Sequence, residues 1–292
     1  MRTPWILAAV TLAAASGLAT AASTVRLPGS MCPGGDAIFA DGYESPTAIP
    51  HDPSNGSGGA FPGNVTRTIN VAGIGTRSYY LHVPPGYAPS QSAPLLLALR
   101  GQSLPTASAA QQVRADWTSW ADSNGFLVLA AVGNSTQGGW GANGDIAEIS
   151  AALDDALAAY NIERSRIYLW GYSAGAHYGH ALALSNTDYF AAYAVSAGSL
   201  EQYACTDDGS FPPTCASLLA ATLPKIPVDI HIGNSDPLYT QYGAGADPQR
   251  FQTGGWITNR NLYFTLFVGG HIYTSAHLGQ IWNHLCPFAL GP

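Results

Sequence analysis

The sequence predicts an α/β protein with a mainly parallel, doubly wound sheet that is flanked by helices. Continuous apolar runs of strand length, as expected of strands buried on both faces, alternate with segments of helical periodicity. In residues 145–160, for example, Ile149 and Leu153 lie on one apolar helix face. Alternation of this kind implies parallel strands joined by crossover helices.

The predicted elements follow one another from about residue 65 onward. Strands are predicted over residues 77–83, 94–99, 126–132, 166–170, 190–195, 228–232 and 262–268. Helices are predicted over residues 108–123, 145–160, 174–184 and about 276–284. Because the active sites of such sheets lie at the carboxyl ends of the strands, residues that directly follow a strand are the first candidates for chemistry.

The N-terminus has the pattern of a signal peptide, predicted here over residues 1–21. Arg2 precedes an apolar stretch over residues 5–18, and Ala19 and Ala21 are the small residues that a signal peptidase requires. The alternative, a membrane anchor, is disfavoured because the run is short for a spanning helix. We expect export to the periplasm or the medium, with no membrane anchor after cleavage.

Residues 22–64 are rich in Gly, Pro, Ser and Asp, and we expect a flexible N-terminal segment with a linker over residues 52–59. Asp36, Asp41 and Glu44 form a small acidic group in it. They lack the spacing of a calcium-binding loop, so a solvated surface segment is the preferred interpretation. Residues 65–292 are expected to form one catalytic domain, and the chain of 292 residues is long enough for a large buried core.

Four cysteines follow the predicted signal peptide, and an even number in an exported chain suggests two disulfides. Cys205 and Cys215 bracket a short loop and are predicted to form a local bridge, which would leave Cys32 and Cys286 to join the two ends of the chain. The sequence does not exclude the other pairings, and no two of these cysteines have the spacing of a zinc site.

The formal net charge of −7 argues against nucleic acid as a partner, because a phosphate-binding surface needs an excess of Lys and Arg. Two histidines, His177 and His180, have the i, i+3 spacing of a metal pair on one helix. No third ligand is evident, so no metal site is predicted.

The strongest chemical signal is the pentapeptide Gly171-Tyr172-Ser173-Ala174-Gly175, which has the form G-x-S-x-G. It follows one predicted strand and opens the next helix. A turn this tight requires small residues around the serine and exposes its side chain above the sheet. The pattern predicts a nucleophilic Ser173, and the alternative is an ordinary Gly-rich turn.

A serine hydroxyl needs a base and an orienting acid, and in this kind of site the chain order is Ser, acid, His. Asp236 directly follows the predicted strand 228–232, and His271 follows the strand 262–268 through two glycines. His277 is the rival base. Weaker acid candidates lie in loops without a preceding strand: Asp207, Asp208 and Asp247.

These residues predict a mechanism that requires no cofactor. His271 would take the proton of Ser173 as it attacks a carbonyl, while Asp236 holds the imidazole. The oxyanion needs two backbone donors. The N–H of Ala174 is predicted to supply one, and the loop at Gly101 and Gln102 is predicted to supply the other.

Five segments carry a resemblance to a known family: RSYYLHVPPGY from Arg77, PLLLALRG from Pro94, IERSRIYLWGYSAGA from Ile162, IHIGNSDPLY from Ile230, and GGH ending at His271. From about residue 66 to 288 the chain resembles secreted esterases of the α/β-hydrolase fold, a family that includes polyhydroxybutyrate depolymerases and feruloyl and acetylxylan esterases. The resemblance implies an ester substrate, which is a polymer for the depolymerases of the family, and a triad of Ser173, Asp236 and His271.

One position departs from the family pattern. Members of this family usually have His-Gly after the early strand, and this chain has Arg100-Gly101. We expect Arg100 to change the packing of the loop and to add a positive charge near the reaction. This keeps open the hypothesis of a non-catalytic binding protein on a hydrolase scaffold.

The substrate is less clearly indicated. Trp140 lies in a Gly-rich stretch, and Tyr172 and Tyr239 flank triad residues. These rings are candidates for binding a sugar, a feruloyl group or a polyester chain, although they would also serve as an apolar wall. A peptidase or amidase with the same triad is the competing enzyme, because the triad alone does not separate an ester from an amide.

Overall fold

The computed structural model describes residues 23–27, 32, 50–141, 144–208 and 213–291. The predicted signal peptide and the acidic group at 36–44 lie outside these residues. Within them, the strands are β1 Ser23–Arg26, β2 Gly63–Val71, β3 Gly75–Val83, β4 Ala93–Leu99, β5 Leu127–Ala131, β6 Ile162–Tyr172, β7 Ala192–Ser196, β8 Val228–Gly233, β9 Leu262–Phe267 and β10 Phe288–Gly291. The helices are α1 Thr106–Asn124, α2 Asp145–Ala159, α3 Ala174–Ser185, α4 Cys215–Ala221, α5 Pro237–Gln241, α6 Asp247–Thr253 and α7 Ser275–Leu285.

The main sheet confirms the predicted fold class. Its strand order is β2-β3-β5-β4-β6-β7-β8-β9. The six strands β5, β4, β6, β7, β8 and β9 are parallel to one another. Strand β3 pairs with β2 and β5 in antiparallel fashion. In the central strands β4 and β5 every residue is buried, which explains their uninterrupted apolar sequences.

Helices cover both faces of this sheet and create two apolar cores. The apolar side chains of α2 and α3 pack on one face, and those of α1 and α7 pack on the other. The strands alternate their side chains between the two cores, so Leu97 faces the first and Leu96 the second. The result is three layers, with the carboxyl ends of the parallel strands free to carry a site.

The N-terminal region differs from the flexible segment expected from its composition. Residues 52–59 lie along the start of β6, where the N–H of Ser54 donates to the carbonyl of Ile162 and its hydroxyl donates to the carbonyl of Tyr160. Gly56 is buried, and a Cβ there would overlap the backbone of Tyr160. The Gly/Ser composition therefore permits close backbone contact instead of flexibility. Strand β1, which also falls in this region, pairs with β10.

Several elements were not predicted. Strand β2 alternates half-buried and exposed residues at the edge of the sheet, so it lacks the apolar run of a central strand. The short helices α4, α5 and α6 lie between β7 and β9, where the sequence has no long periodic segment. The predicted elements themselves are present, with ends displaced by a few residues.

The predicted disulfides are confirmed, with Cys205 joined to Cys215 and Cys32 joined to Cys286. The bridge between Cys32 and Cys286 joins residues that are 254 positions apart in the sequence. It reinforces the β1–β10 pairing between the N-terminal and C-terminal parts of the chain. Among the residues that the structure describes, no helix combines the length and apolar character needed to cross a membrane.

Candidate active site

Ser173 lies on a sharp turn between β6 and α3, in a backbone conformation that non-glycine residues rarely adopt. Its φ is 53° and its ψ is −118°. Neighbouring glycines make this turn possible. A Cβ on Gly171 would overlap the carbonyl of Gly175, and one on Gly175 would overlap the carbonyls of Leu99 and Arg100. The side chain of Ser173 is thereby presented, partly exposed, above the carboxyl end of the sheet.

The structure brings Ser173, His271 and Asp236 together. Ser173 Oγ lies 2.8 Å from His271 Nε2, and His271 Nδ1 lies 2.9 Å from Asp236 Oδ2. The carboxylate is fully buried, whereas 36% of the His271 side chain is exposed. Ser173 and His271 are therefore accessible from outside, whereas Asp236 is shielded from water.

Strands β8 and β9 bring Asp236 next to His271. Gly233 at the end of β8 pairs with Phe267 at the end of β9, and the N–H of Ser235 donates to the carbonyl of Gly269. The two loops that follow these strands therefore run side by side. The second oxygen of Asp236 accepts the N–H of Leu238 at 2.9 Å and begins helix α5, which fixes the carboxylate.

The predicted oxyanion donors are adjacent to Ser173. Leu99 at the end of β4 is in register with Gly171 of β6, so the loop after β4 reaches the nucleophile. A Cβ on Gly101 would lie 3.3 Å from that of Ser173. Ala174 is the first residue of α3, where N–H groups have no partner within the helix. Gln102 is exposed, and its side chain donates to the carbonyl of Gln137.

Arg100 was expected to add a positive charge near the reaction, and the structure buries that charge. Its side chain is fully buried and extends into the loop after β5, where it donates to the carbonyls of Val132, Gly138 and Gly139. It also donates to the carbonyl of Gly101. The guanidinium also lies 4.6 Å from the ring centre of Trp140. Burial lowers the pKa of Arg100 to about 10, so the group stays charged at neutral pH. Arg100 therefore links the loop after β4, where one oxyanion donor is predicted, to the loop after β5.

The three aromatic residues predicted to bind substrate have different positions. Trp140 is only 4% exposed, stacks on Tyr178 and donates to the carbonyl of Arg100, so it is a packed wall and does not form a binding surface. Tyr172 is half-buried and donates its hydroxyl to the carbonyl of His271 at 2.8 Å. Tyr239 is half-buried on α5 and remains a candidate contact.

The position of Tyr172 shows a role that its sequence context did not reveal. Its ring contacts those of His271 and Tyr273, with centroid separations of 5.3 and 4.7 Å. Burial raises the pKa of Tyr172, which keeps its hydroxyl protonated as a donor. Tyr172 therefore holds the backbone of His271 in place.

The rival candidates lie elsewhere. Asp207 and Asp247 both pair with Arg250. Asp208 accepts a hydrogen bond from Thr206. His277 lies in the first turn of α7, and its ring contacts that of Phe267.

The helical histidines that were considered as a metal pair have separate partners. Nδ1 of His177 accepts the N–H of Ser199 at 2.9 Å, and Nδ1 of His180 lies 3.1 Å from the hydroxyl of Tyr193. Burial lowers the pKa of both imidazoles, so both stay neutral. They are packing residues of α3.

A cavity of about 560 Å³ lies at the amino ends of the parallel strands, near the residues where β4 and β6 begin. This end of the strands is opposite to the one that carries Ser173. It is lined by His51, Ser92 and Glu163 among other residues. Glu163 accepts hydrogen bonds from the N–H of Asp52 and from the hydroxyls of Ser92 and Ser165. None of the triad residues lines this cavity, so we do not associate it with the reaction.

Comparison of the sequence with known proteins identifies two esterases. A bifunctional acetylxylan esterase/xylanase of Neocallimastix patriciarum is 32% identical over 124 residues, which are 42% of this chain and 18% of that protein. Poly(3-hydroxyalkanoate) depolymerase C of Paucimonas lemoignei is 30% identical over 155 residues, 49% of this chain and 36% of that protein. The chain thus spans well under half the length of these curated relatives. No protein-family model matches the sequence.

Solved structures share the architecture. A ferulic acid esterase superposes with a TM-score of 0.57 at 17% identity, over 76% of this chain and 97% of the other. An S-formylglutathione hydrolase from Agrobacterium tumefaciens gives 0.56 at 16% identity, over 78% and 98%. A feruloyl esterase module from Clostridium thermocellum gives 0.55 at 14% identity, over 84% and 96%. At these identities the similarity shows the fold, and the predicted resemblance to this group of proteins is confirmed.

Proposed function

Because the chain has the α/β-hydrolase fold and its sequence relatives are esterases, we propose that it is a serine carboxylic ester hydrolase that works through an acyl-enzyme on Ser173. The observation that carries this proposal is the continuous chain of hydrogen bonds from Ser173 through His271 to Asp236, 2.8 and 2.9 Å in length. That chain occurs on a strained turn at the carboxyl ends of parallel strands, where reactive serines of such sheets lie.

In the first half-reaction the hydroxyl of Ser173 attacks the ester carbonyl carbon while Nε2 of His271 takes its proton. Asp236 fixes the tautomer of His271 that leaves Nε2 free to accept, and it stabilises the imidazolium that forms. The tetrahedral intermediate then collapses as His271 returns the proton to the leaving alcohol. The products are the free alcohol and an acyl group bonded to Ser173.

In the second half-reaction a water molecule takes the place of the alcohol. His271 removes a proton from the water, which attacks the acyl carbon, and the same proton returns to Ser173 Oγ when the acid leaves. The partial exposure of His271 supports this step, because water must reach Nε2 without displacing the acyl group.

The negative charge on the carbonyl oxygen needs preorganised donors in both halves. We assign these to the backbone N–H groups of Ala174 and Gln102. The α3 N-terminus adds a favourable dipole at the same place. Arg100 supports this assignment indirectly, because its three bonds to the loop after β5 hold the neighbouring Gly101 against the nucleophile.

The position of Arg100 also weakens the case for a non-catalytic scaffold. That hypothesis rested on altered loop packing and a positive charge near the reaction, and the charge is buried against the ring of Trp140. All three triad side chains have hydrogen-bonding geometry suited to proton transfer.

The names of the relatives suggest which esters to test first: acetyl groups on xylan, polyhydroxyalkanoates and feruloyl esters. We also propose that the chain is exported. The N-terminal pattern of a signal peptide and the two disulfides support this, since disulfides persist in oxidising compartments. We propose residues 65–292 as the catalytic domain.

A matched substrate pair tests the ester proposal against an amidase. Nitrophenyl butyrate and the corresponding butyryl nitroanilide differ only in the atom that leaves. We expect rapid ester hydrolysis with a pre-steady-state burst of nitrophenol that is equal to the enzyme concentration, and far slower anilide cleavage. A higher kcat/KM for the anilide would favour the amidase. Folded protein that cleaves neither would contradict the proposal, and Ser173→Ala controls for contaminating hydrolases.

A further inference from the structure

The core between β8 and α7 contains a second group of histidines around a carboxylate. We propose that Asp229, His231 and His284 form a structural binding site for a transition-metal ion of the zinc type. Nε2 of His231 and Nδ1 of His284 lie 2.9 and 2.8 Å from Asp229 Oδ2. The three ligand atoms lie within 4.8 Å of one another.

Periodicity explains how these residues meet. Asp229 and His231 are two residues apart on β8, so their side chains point to the same face of the sheet. His277 and His284 are seven residues apart on α7, which is two helical turns, so they lie along one face of the helix. Helix α7 packs against β8, and the His277 and His231 rings have centroids 5.8 Å apart.

A buried carboxylate oxygen without a partner points to a ligand at this place. Within the described residues, Oδ1 of Asp229 makes no hydrogen bond. Asp229 is completely buried, so bulk water does not reach this atom. An unsatisfied oxygen on a buried carboxylate is unfavourable. A bound cation would remove that cost for Asp229.

The donor set suits the proposed ion. Two imidazole nitrogens and one carboxylate oxygen are common ligands of Zn²⁺, with bonds of about 2.0 to 2.2 Å. Donor atoms around a tetrahedral ion are about 3.3 Å apart at such bond lengths. The observed separations of 2.8 and 2.9 Å from Asp229 Oδ2 therefore need to open by only a few tenths of an ångström.

The site has an entry route and a structural consequence. A quarter of the His284 side chain is exposed, and the Tyr263 ring stacks on it with centroids 4.2 Å apart. A bound ion would join β8, whose end leads to Asp236, to α7, which begins four residues after His271. It would thus stabilise the two segments that carry the acid and the base.

Zinc binding to the purified, disulfide-intact protein tests the proposal. After removal of metal with a chelator, Zn²⁺ alone is titrated by calorimetry and Tm is measured with and without it. We expect one ion per chain and a higher Tm with Zn²⁺, because an ion that binds the folded state stabilises it. His284→Gln should weaken binding more than about tenfold, the loss that even an outer-shell partner can cause. His51→Gln, an exposed histidine elsewhere, is the matched control and should bind normally.

A measurement on the wild-type protein guards against variants that fail to fold. Crystals soaked with Zn²⁺ should show an anomalous peak between Asp229, His231 and His284. Absence of binding to the wild type, a peak confined to other histidines, or unchanged affinity in folded His284→Gln would each overturn the proposal.

Discussion

Strand β8 and the loop that follows it each carry a carboxylate that is paired with histidine, in different settings. Asp229 lies within the strand and contacts His231 and His284 in the closed layer under α7. Asp236 lies just past the end of the strand and contacts His271, which in turn contacts Ser173. The pairings have nearly the same geometry, with oxygen–nitrogen distances of 2.8 to 2.9 Å.

The difference between them is access. His271 is 36% exposed and has a nucleophile on its other nitrogen, whereas His231 is sealed in the core. A carboxylate–histidine pair is therefore suited to catalysis when it lies at the carboxyl end of a strand, and to holding the fold together when it lies inside the strand. This comparison separates two kinds of expected mutational effect, one on rate and one on stability.

The largest expected effect is on the nucleophile. Ser173→Ala should lower kcat by about 10⁵-fold or more, because the attacking atom is removed while the donors remain. Steady-state hydrolysis of a nitrophenyl ester and a thermal melt measure the two consequences. Tm should not fall, since the hydroxyl bonds only to His271 among the described side chains. A variant that retains more than a few per cent of the activity would contradict the assignment.

Exchange of each carboxylate for its amide separates the two pairs directly. Asp236→Asn should lower kcat by about 10⁴-fold, because the amide favours the wrong tautomer of His271. Its oxygen can still accept the N–H of Leu238, so Tm should change little. Asp229→Asn should instead lower the free energy of unfolding by about 3 kcal/mol, because two histidines lose a buried charge partner.

Urea denaturation and kcat, measured on both variants, check this contrast. The comparison breaks down if the Asp229 variant loses as much kcat as the Asp236 variant while still folded. The two ends of β8 would then act as one unit.

The nucleophile turn is expected to be the least tolerant backbone in the molecule. Gly175→Ala should destabilise the fold by about 1 to 3 kcal/mol, because its methyl group would overlap the carbonyls of Leu99 and Arg100. Gly86→Ala is the matched control, since a Cβ there meets no atom within 4 Å. Thermal melts should show a clear loss for the first variant and none for the second. Equal Tm values would mean that the turn is more adaptable than its contacts indicate.

The smallest expected effect concerns the positioning of the base. Tyr172→Phe removes only the hydroxyl that donates to the carbonyl of His271. One hydrogen bond contributes about 1 kcal/mol, so kcat should fall about fivefold. KM should stay within error if Tyr172 positions His271, and should rise if Tyr172 instead binds substrate. Kinetics over a range of substrate concentrations separate these outcomes.

The sequence predicted the sheet, the central strands and the residues that meet at Ser173, because each of these follows from local pattern. A buried parallel strand has an apolar run, and the residues after such runs converge at one edge. The pairing of Asp229 with His284 depends on packing across 55 positions, and the sequence around each one indicates only core or helix surface. Trp140 was misplaced for a similar reason, since its Gly-rich neighbours did not reveal the buried Arg100 beneath it.

Covalent labelling of the nucleophile tests the central claim most directly. The purified protein is treated with a fluorophosphonate, which reacts with serines that are activated by a base and an oxyanion site, and the adduct is located by peptide mass spectrometry. We predict a single adduct on Ser173 that is absent in His271→Ala and in denatured protein. Folded wild-type protein without an adduct, or with one on another serine, would contradict the account.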